Sequence, residues 1–209
     1  MVLPALDGKT RCRWAATDPV LATYHDNEWG EAPVGDAGWF ERLSLEVFQA
    51  GLSWRTVLAK RDGFRRAFHD FEPKIVAAFT AKDVTGVLRD PGIVRNRAKV
   101  LATIENAKVV LALADEHGSF GEWVNSQPDD LEDQQRVYRQ TFQFAGPQVV
   151  EAFLQSVGRV PAPHEPGCWR LGSARPGDSR WWCRTCPALP RPSGWTTWPR
   201  RRRTATPWC

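Results

Sequence analysis

The chain has 209 residues, 42% of them hydrophobic, which is enough for one domain with a sizeable core and a tail. No apolar run is long enough to cross a bilayer, and no charged-then-apolar leader opens the sequence, so a soluble, cytoplasmic protein with no membrane partner is expected. Five cysteines, an odd number, argue against a complete disulfide framework and for a reducing compartment.

The net charge of +4 conceals two unlike parts. Residues 170–209 hold nine Arg, no Lys and one Asp, a charge of +8, which leaves residues 1–169 with 19 basic and 23 acidic residues, or −4. A basic surface for nucleic acid is therefore not visible in the total for the body.

Taken in chain order, Asp18-Pro19 reads as an N-cap followed by Pro at the first helical position, opening a helix toward Asn27. Asp36 is placed to cap a second helix through about Ala50, and Ser53 a third running to about Phe68. Thr80-x-x-Asp83 has the form of a capping box before Val84 and Leu88. From Val94 to Ala114, Val100, Ile104, Ala107 and Leu111 recur at helical spacing. Further helices are expected at about 119–126, 131–140 and 147–157, with breaks at Pro73, Pro91-Gly92, Pro128 and Gly146-Pro147. No alternating strand and no repeat is visible, so the expected class is all-α.

Residues 170–209 contain no Ile, Val or Phe and follow neither structural period, so they read as an irregular Arg/Pro/Trp-rich tail on a body formed by 1–169. The abrupt change after Trp169 is also what a shifted reading frame would produce. Cys183-x2-Cys186 lacks the second unit a zinc site needs, and Arg200 to Arg203 read as a solvated charge run.

Two features carry chemistry. Cys12 and His25 near the start, with His164-x3-Cys168 near the end of the body, are four residues of the type that close a zinc tetrahedron. Taken alone, pairs about 140 residues apart are more simply unrelated. The second feature is Glu46, which shares a helix face with Trp39, Leu43 and Ala50 at 100° per residue. A carboxylate at the edge of a core-facing stripe must be paired, hydrogen-bonded or protonated. It is either a satisfied core residue or the wall of a pocket. Trp54 follows shortly after, and Tyr24, next to His25, gives another aromatic; one carboxylate among aromatic rings suits a flat, electron-poor ring, although plain core packing explains the rings as well. Gly51 ends the helix before Leu52, Ser53 and Trp54.

The blocks Arg11-Cys12-Arg13-Trp14, Tyr24-His25-Asp26-Asn27-Glu28-Trp29-Gly30 and Glu46-x-x-Gln49-Ala50-Gly51-Leu52-Ser53-Trp54 closely resemble the type I 3-methyladenine DNA glycosylases. So do Gly92 to Lys99, Phe142 to Pro147 and His164 to Cys168, so that the resemblance spans roughly residues 10–169. It implies a helix-hairpin-helix glycosylase fold with a structural zinc on Cys12, His25, His164 and Cys168, clipping the two ends of the body together. It also implies that Glu46 is the catalytic, base-recognising carboxylate, and that Tyr24 and Trp54 bind the base with Trp29 and Trp14 in support. Gly51 and Leu52 would fill the gap left in the duplex, and the hairpin near Phe144 and Gly146 would meet a phosphate through backbone N–H groups. The implied partners are double-stranded DNA carrying alkylated adenine and the free 3-methyladenine released from it, with the chain acting as a monomer. A non-catalytic, zinc-stabilised DNA- or base-binding module is the alternative. Thr141 stands where the family has Gly at the start of the hairpin, and a β-branched residue there is strained if φ must be positive. The preceding segment is acidic, with Asp129, Asp130, Glu132 and Asp133, where the family tends to be basic. No carboxylate immediately precedes His164, so the superfamily's usual catalytic Asp is not found at that place.

Overall fold

A computed structural model describes residues 3–4 and 9–161 together with His164 and Cys168. The expected irregular tail at 170–209, with Cys183, Cys186 and Arg200 to Arg203, lies outside the described residues. So do Trp169 and the Ala162-Pro163 pair.

The described part is built of helices, and none of them is long and apolar enough to cross a membrane. Among the described residues the one departure from an all-α pattern is a short antiparallel pairing of β1 (Leu3–Pro4) with β2 (Thr10–Arg11), which holds the chain just before Cys12. Two residues per strand are too few to leave an alternating pattern, so the pairing was not expected. A single turn, α1 (Arg13–Ala16), leads to α2 (Pro19–Asn27), whose bounds agree with the expected ones. The Asp18 carboxylate accepts from the Val20 and Leu21 amides at 2.9 and 3.2 Å, which satisfies two of the orphan donors of the first turn.

Helix α3 (Gly35–Gln49) is the centre of the molecule. Every residue from Trp39 to Phe48 is buried, so it is enclosed on all sides, where the sequence pattern implied a single core-facing stripe. Asp36 does not cap it. Val34 occupies that position, and the Asp36 carboxylate instead accepts the Phe120 amide at 2.8 Å, spending itself on the start of a helix 84 residues away.

The expected third helix is broken in two, α4 (Trp54–Leu58) and α5 (Arg61–Ala67). The break turns α5 so that Gly63 lies against the Pro91-Gly92 turn, where a Cβ would stand 2.2 Å from the Gly92 carbonyl oxygen. The Lys60 ammonium ties the corner to the Pro91 carbonyl at 2.6 Å. His69, Asp70 and Phe71 then take positive φ in succession, at 50°, 52° and 57°, each costing about 1–2 kcal/mol. Burial of Phe71 against Phe68 and Phe40, with ring centroids 5.4 and 6.0 Å away, offsets that cost.

Helices α6 (Pro73–Ala77) and α7 (Ala81–Arg89) follow, the second opened by the Thr80/Asp83 capping box. The long helix α8 (Arg97–His117) begins three residues later than the expected Val94, because the Asn96 side chain caps it by accepting the Lys99 amide at 3.2 Å. Helices α9 (Phe120–Ser126), α10 (Leu131–Thr141) and α11 (Pro147–Ser156) lie within a residue of their expected bounds. α8, α9 and α11 all pack on α3, and α10 packs on α11. A continuous aromatic core fills the space between them, including Phe48, Phe64, Phe120, Trp123, Tyr138 and Phe153.

Candidate active site and Cys/His cluster

The two ends of the described chain meet at one point. The ligand atoms of Cys12, His25, His164 and Cys168 all lie within 4.8 Å of one another. Cys168 Sγ stands 3.4 Å from His25 Nε2 and 3.7 Å from His164 Nδ1, and Cys12 Sγ is 3.8 Å from His164 Nδ1. Such a set could hold a metal ion. His25 is oriented for it from behind: its Nδ1 is 2.9 Å from Asp26 Oδ1, and Arg11 Nε donates to the same carboxylate at 2.9 Å. Sequence reasoning assigns no role to Asp26 or Arg11. Their adjacency to His25 and Cys12 was the available signal, since a ligating imidazole needs its other nitrogen held.

Trp14 and Trp29 join this cluster. Trp14 meets His25 edge-on at 5.3 Å and Trp29 at 5.1 Å, and Trp29 lies 4.8 Å from the His164 ring. Their ring contacts run to the imidazoles and to each other, and none joins Tyr24 or Trp54.

Helix α3 carries Glu46, which is 5% exposed. Its carboxylate makes no hydrogen bond among the described residues. Burial pushes its pKa up to about 8, with Arg42 drawing it back only in part. Arg42 precedes Glu46 by one helical turn and so shares its face, a position that sequence spacing alone could have flagged. Its guanidinium lies 5.0 Å from the Tyr24 ring centroid and donates to the Tyr24 hydroxyl at 3.1 Å. The same group donates to the Ser156 carbonyl and to Glu28, so Tyr24 is anchored to α11 through Arg42. Burial raises the Tyr24 phenol above its ordinary pKa; Arg42 works against this and the Glu46 charge adds to it, so the three groups feel one another's fields. Trp54, at the start of α4, meets the Tyr24 ring edge-on at 5.2 Å. Tyr24 therefore joins Glu46 and Trp54, more than twenty residues on, in one neighbourhood with Arg42 as its unforeseen fourth member.

The loop between α3 and α4 is exposed. Gly51 turns the chain with φ of 84°, a conformation an L side chain rarely adopts, and Leu52 is left 38% exposed. The Gln49 side chain donates to the Leu52 carbonyl at 2.9 Å. From behind, the buried Lys99 ammonium donates to the Phe48 and Ala50 carbonyls at 3.0 and 2.6 Å, at the C-terminal end of α3.

The α10–α11 hairpin presents a second exposed loop. Thr141 is the last helical residue of α10, not a residue of positive φ, so the strain expected there is absent. The left-handed conformation falls on Phe144 instead, with φ of 59°, and its ring is 46% exposed. Gly146 is the N-cap of α11. No hydrogen bond among the described residues takes the amide N–H of Phe144, Ala145 or Gly146. Asn106 of α8 brackets the loop, accepting the Gln143 amide at 2.8 Å and donating to the Gln143 carbonyl at 3.1 Å.

A buried carboxylate with no hydrogen bond among the described residues, in one neighbourhood with the Tyr24 and Trp54 rings, marks the centre of this helical protein as its candidate site. The chain belongs to the methyladenine glycosylase family, whose model matches residues 14–140. It is 37% identical over 171 residues to the DNA-3-methyladenine glycosylase of Haemophilus influenzae, covering 72% of this chain and 92% of that one. A crystal structure of a 3-methyladenine DNA glycosylase I is similar with a TM-score of 0.69 and 36% identity, over 76% of this chain and 98% of the other. A variant of such an enzyme in complex with 3-methyladenine matches with a TM-score of 0.67 and 32% identity, over 76% and 95% of the two chains.

Proposed function

We propose that this chain is a monofunctional DNA-3-methyladenine glycosylase, hydrolysing the N-glycosidic bond of 3-methyladenine in alkylated DNA as the first step of base-excision repair. The observation that carries the reading is the buried Glu46 carboxylate without a hydrogen-bond partner, next to Tyr24 and Trp54, in a chain of this family. An adenine methylated at N3 is cationic in the DNA and leaves as a neutral base, so the reaction needs no acid to protonate the leaving group. Reaching it requires extrusion from the stack, at a cost of a few kcal/mol. Leu52 and Gly51 occupy the vacated space in this reading, Phe144 and Gly146 lie at the phosphate-binding hairpin, and Trp54 stacks on the extruded ring. Trp29 and Trp14 support the pocket only indirectly, through the imidazoles of the Cys/His cluster that they pack against.

Glu46 supplies the discrimination. With a pKa of about 8, its carboxyl is mostly protonated at neutral pH when the pocket is empty. A cationic ring stabilises the ionised form, so lesion binding releases a proton from Glu46 and gains a charge-assisted contact that neutral adenine cannot make. Arg42 limits the effect by holding a second positive charge one turn away. Ground-state attraction does not itself lower the barrier, so Glu46 must act more strongly as the glycosidic bond opens.

The donor set of Cys12, His25, His164 and Cys168 fits a structural zinc. Sulfur-to-nitrogen separations of 3.4–3.8 Å bracket the edge of about 3.6 Å expected for a tetrahedron with Zn–S near 2.3 Å and Zn–N near 2.1 Å. Four protein ligands close the shell, so the ion would supply a cross-link between the ends of the 1–169 body and leave no open position for chemistry. The enzyme works as a cytoplasmic monomer in this reading.

Release of free 3-methyladenine from methylated duplex DNA tests the proposal. The wild-type chain should release it, and Glu46→Ala should lose at least about 100-fold in rate. Quenching of Trp fluorescence by the free base with no release from DNA would instead identify a binding module without turnover.

A further inference from the structure

Helix α8 contains two buried polar side chains that spend their hydrogen bonds on loops of other elements. Lys99 donates to Phe48 and Ala50 at the base of the exposed Gly51–Ser53 loop. Asn106 takes both backbone groups of Gln143 in the hairpin loop. Both are nearly inaccessible, at 6% and 2% exposure. They are seven residues apart, 20° short of two full turns, so they face the same side of α8 about 10 Å apart along its axis.

Folding alone does not require this expenditure. The loops they hold are exposed at Gly51, Leu52, Ser53, Gln143 and Phe144, so water could satisfy the Gln143 groups that Asn106 takes, and Lys99 reaches beyond the buried Phe48 carbonyl to the half-buried Ala50 carbonyl at the edge of the exposed loop. The gain is position. Asn106 grips the residue immediately before Phe144, whose left-handed backbone relaxes unless something holds it. Lys99 grips the residue immediately before Gly51, the pivot of the other loop.

We propose that Lys99 and Asn106 are positioning residues that use α8 as a rigid spacer, fixing the Gly51–Ser53 loop and the Gln143–Gly146 loop relative to each other so that both engage one duplex at once. The inference rests on the glycosylase reading of the two loops. It divides the work. Asn106 governs the loop that meets the phosphate backbone of any duplex, and Lys99 governs the loop that enters a vacated base position.

Asn106→Leu and Lys99→Met remove the hydrogen bonds while keeping a buried side chain of similar size. Each variant is compared with the wild-type chain by amide hydrogen exchange, by binding to intact and to abasic duplexes, and by Trp quenching with free 3-methyladenine. Asn106→Leu should speed exchange of the Gln143 amide and weaken both duplexes equally, by about tenfold. Lys99→Met should leave intact-duplex affinity within about twofold and cut the preference for the abasic duplex by about tenfold. Free-base binding should be unchanged in both. A parallel loss of base binding and duplex binding in either variant overturns the inference, as does unchanged duplex binding in both or a wild-type chain that binds no duplex. A wild-type chain that binds abasic DNA and releases no methylated base defeats the enzymatic reading alone, and the duplex affinities still decide the roles of Lys99 and Asn106.

Discussion

The Cys/His cluster and the Glu46 neighbourhood are both buried and both polar, yet they solve that problem in opposite ways. At the cluster every group converges on others: four donor atoms face one point, and Asp26 and Arg11 hold the far side of His25. At Glu46 a carboxylate is enclosed with no hydrogen bond among the described residues, its proton retained by burial. A site whose members complete one another within the chain stabilises the fold. On the glycosylase reading, the site left one partner short is kept ready for a molecule that arrives later, and its cost is carried by the surrounding core.

The sharpest break in this contrast comes from removing one arm of the cluster. On the zinc reading, Cys168→Ser releases a cross-link between residues 143 apart, and on chain-entropy grounds it should cost on the order of 4 kcal/mol. A melting temperature lower by roughly 10 °C and the loss of one bound zinc per chain are the expected results. Unchanged melting in the metal-free variant would remove the clip from the account of stability.

The next largest effect belongs to Glu46 and depends on pH. Its folded pKa of about 8 lies above the ordinary 4.5, so the folded chain keeps a proton that the unfolded chain has given up. Its contribution is therefore present below about pH 4.5 and is lost as pH rises toward 8. Glu46→Gln should flatten this dependence, becoming more stable than wild type by a few kcal/mol at pH 9 relative to pH 5. Urea unfolding at the two pH values measures it, and identical curves for the two proteins would mean the carboxyl is not strained by burial.

Asp26→Asn sharpens the cluster side. The neutral amide orients His25 less firmly, and zinc affinity should fall by about 10–100-fold, read by competition with a chelator. Excision at saturating zinc should stay unchanged. The smallest expected effect is at Thr141. Because this residue is helical and its hydroxyl donates to the Val137 carbonyl at 2.8 Å, Thr141→Gly should lower stability by about 0.5 kcal/mol without improving DNA binding. A gain in duplex affinity would show that the family's glycine is needed at that position after all.

Local signals set much of the helical framework. Asp18-Pro19, the Thr80/Asp83 box and the Gly146-Pro147 break each act through atoms within four residues, so they were legible without coordinates. Asp36 misled because its carboxylate had a better use across the molecule, and the helix expected from Ser53 failed because Gly63 had to reach Gly92. The blocks around His25 and Glu46 named the candidate site residues and helical spacing could have added Arg42, while Lys99 and Asn106 stayed unassigned because their partners, Ala50 and Gln143, are distant along the chain.

By itself, then, the order of residues determined the helical class, most helix starts, the family and the identity of the four donors. Only tertiary structure decided that those donors meet, that Glu46 is enclosed without a partner, and that positive φ falls on Phe144 instead of Thr141. The physical reason is range. Caps and periodicity act over one helical turn, whereas burial, charge coupling and metal geometry depend on which distant segments the packed core brings together.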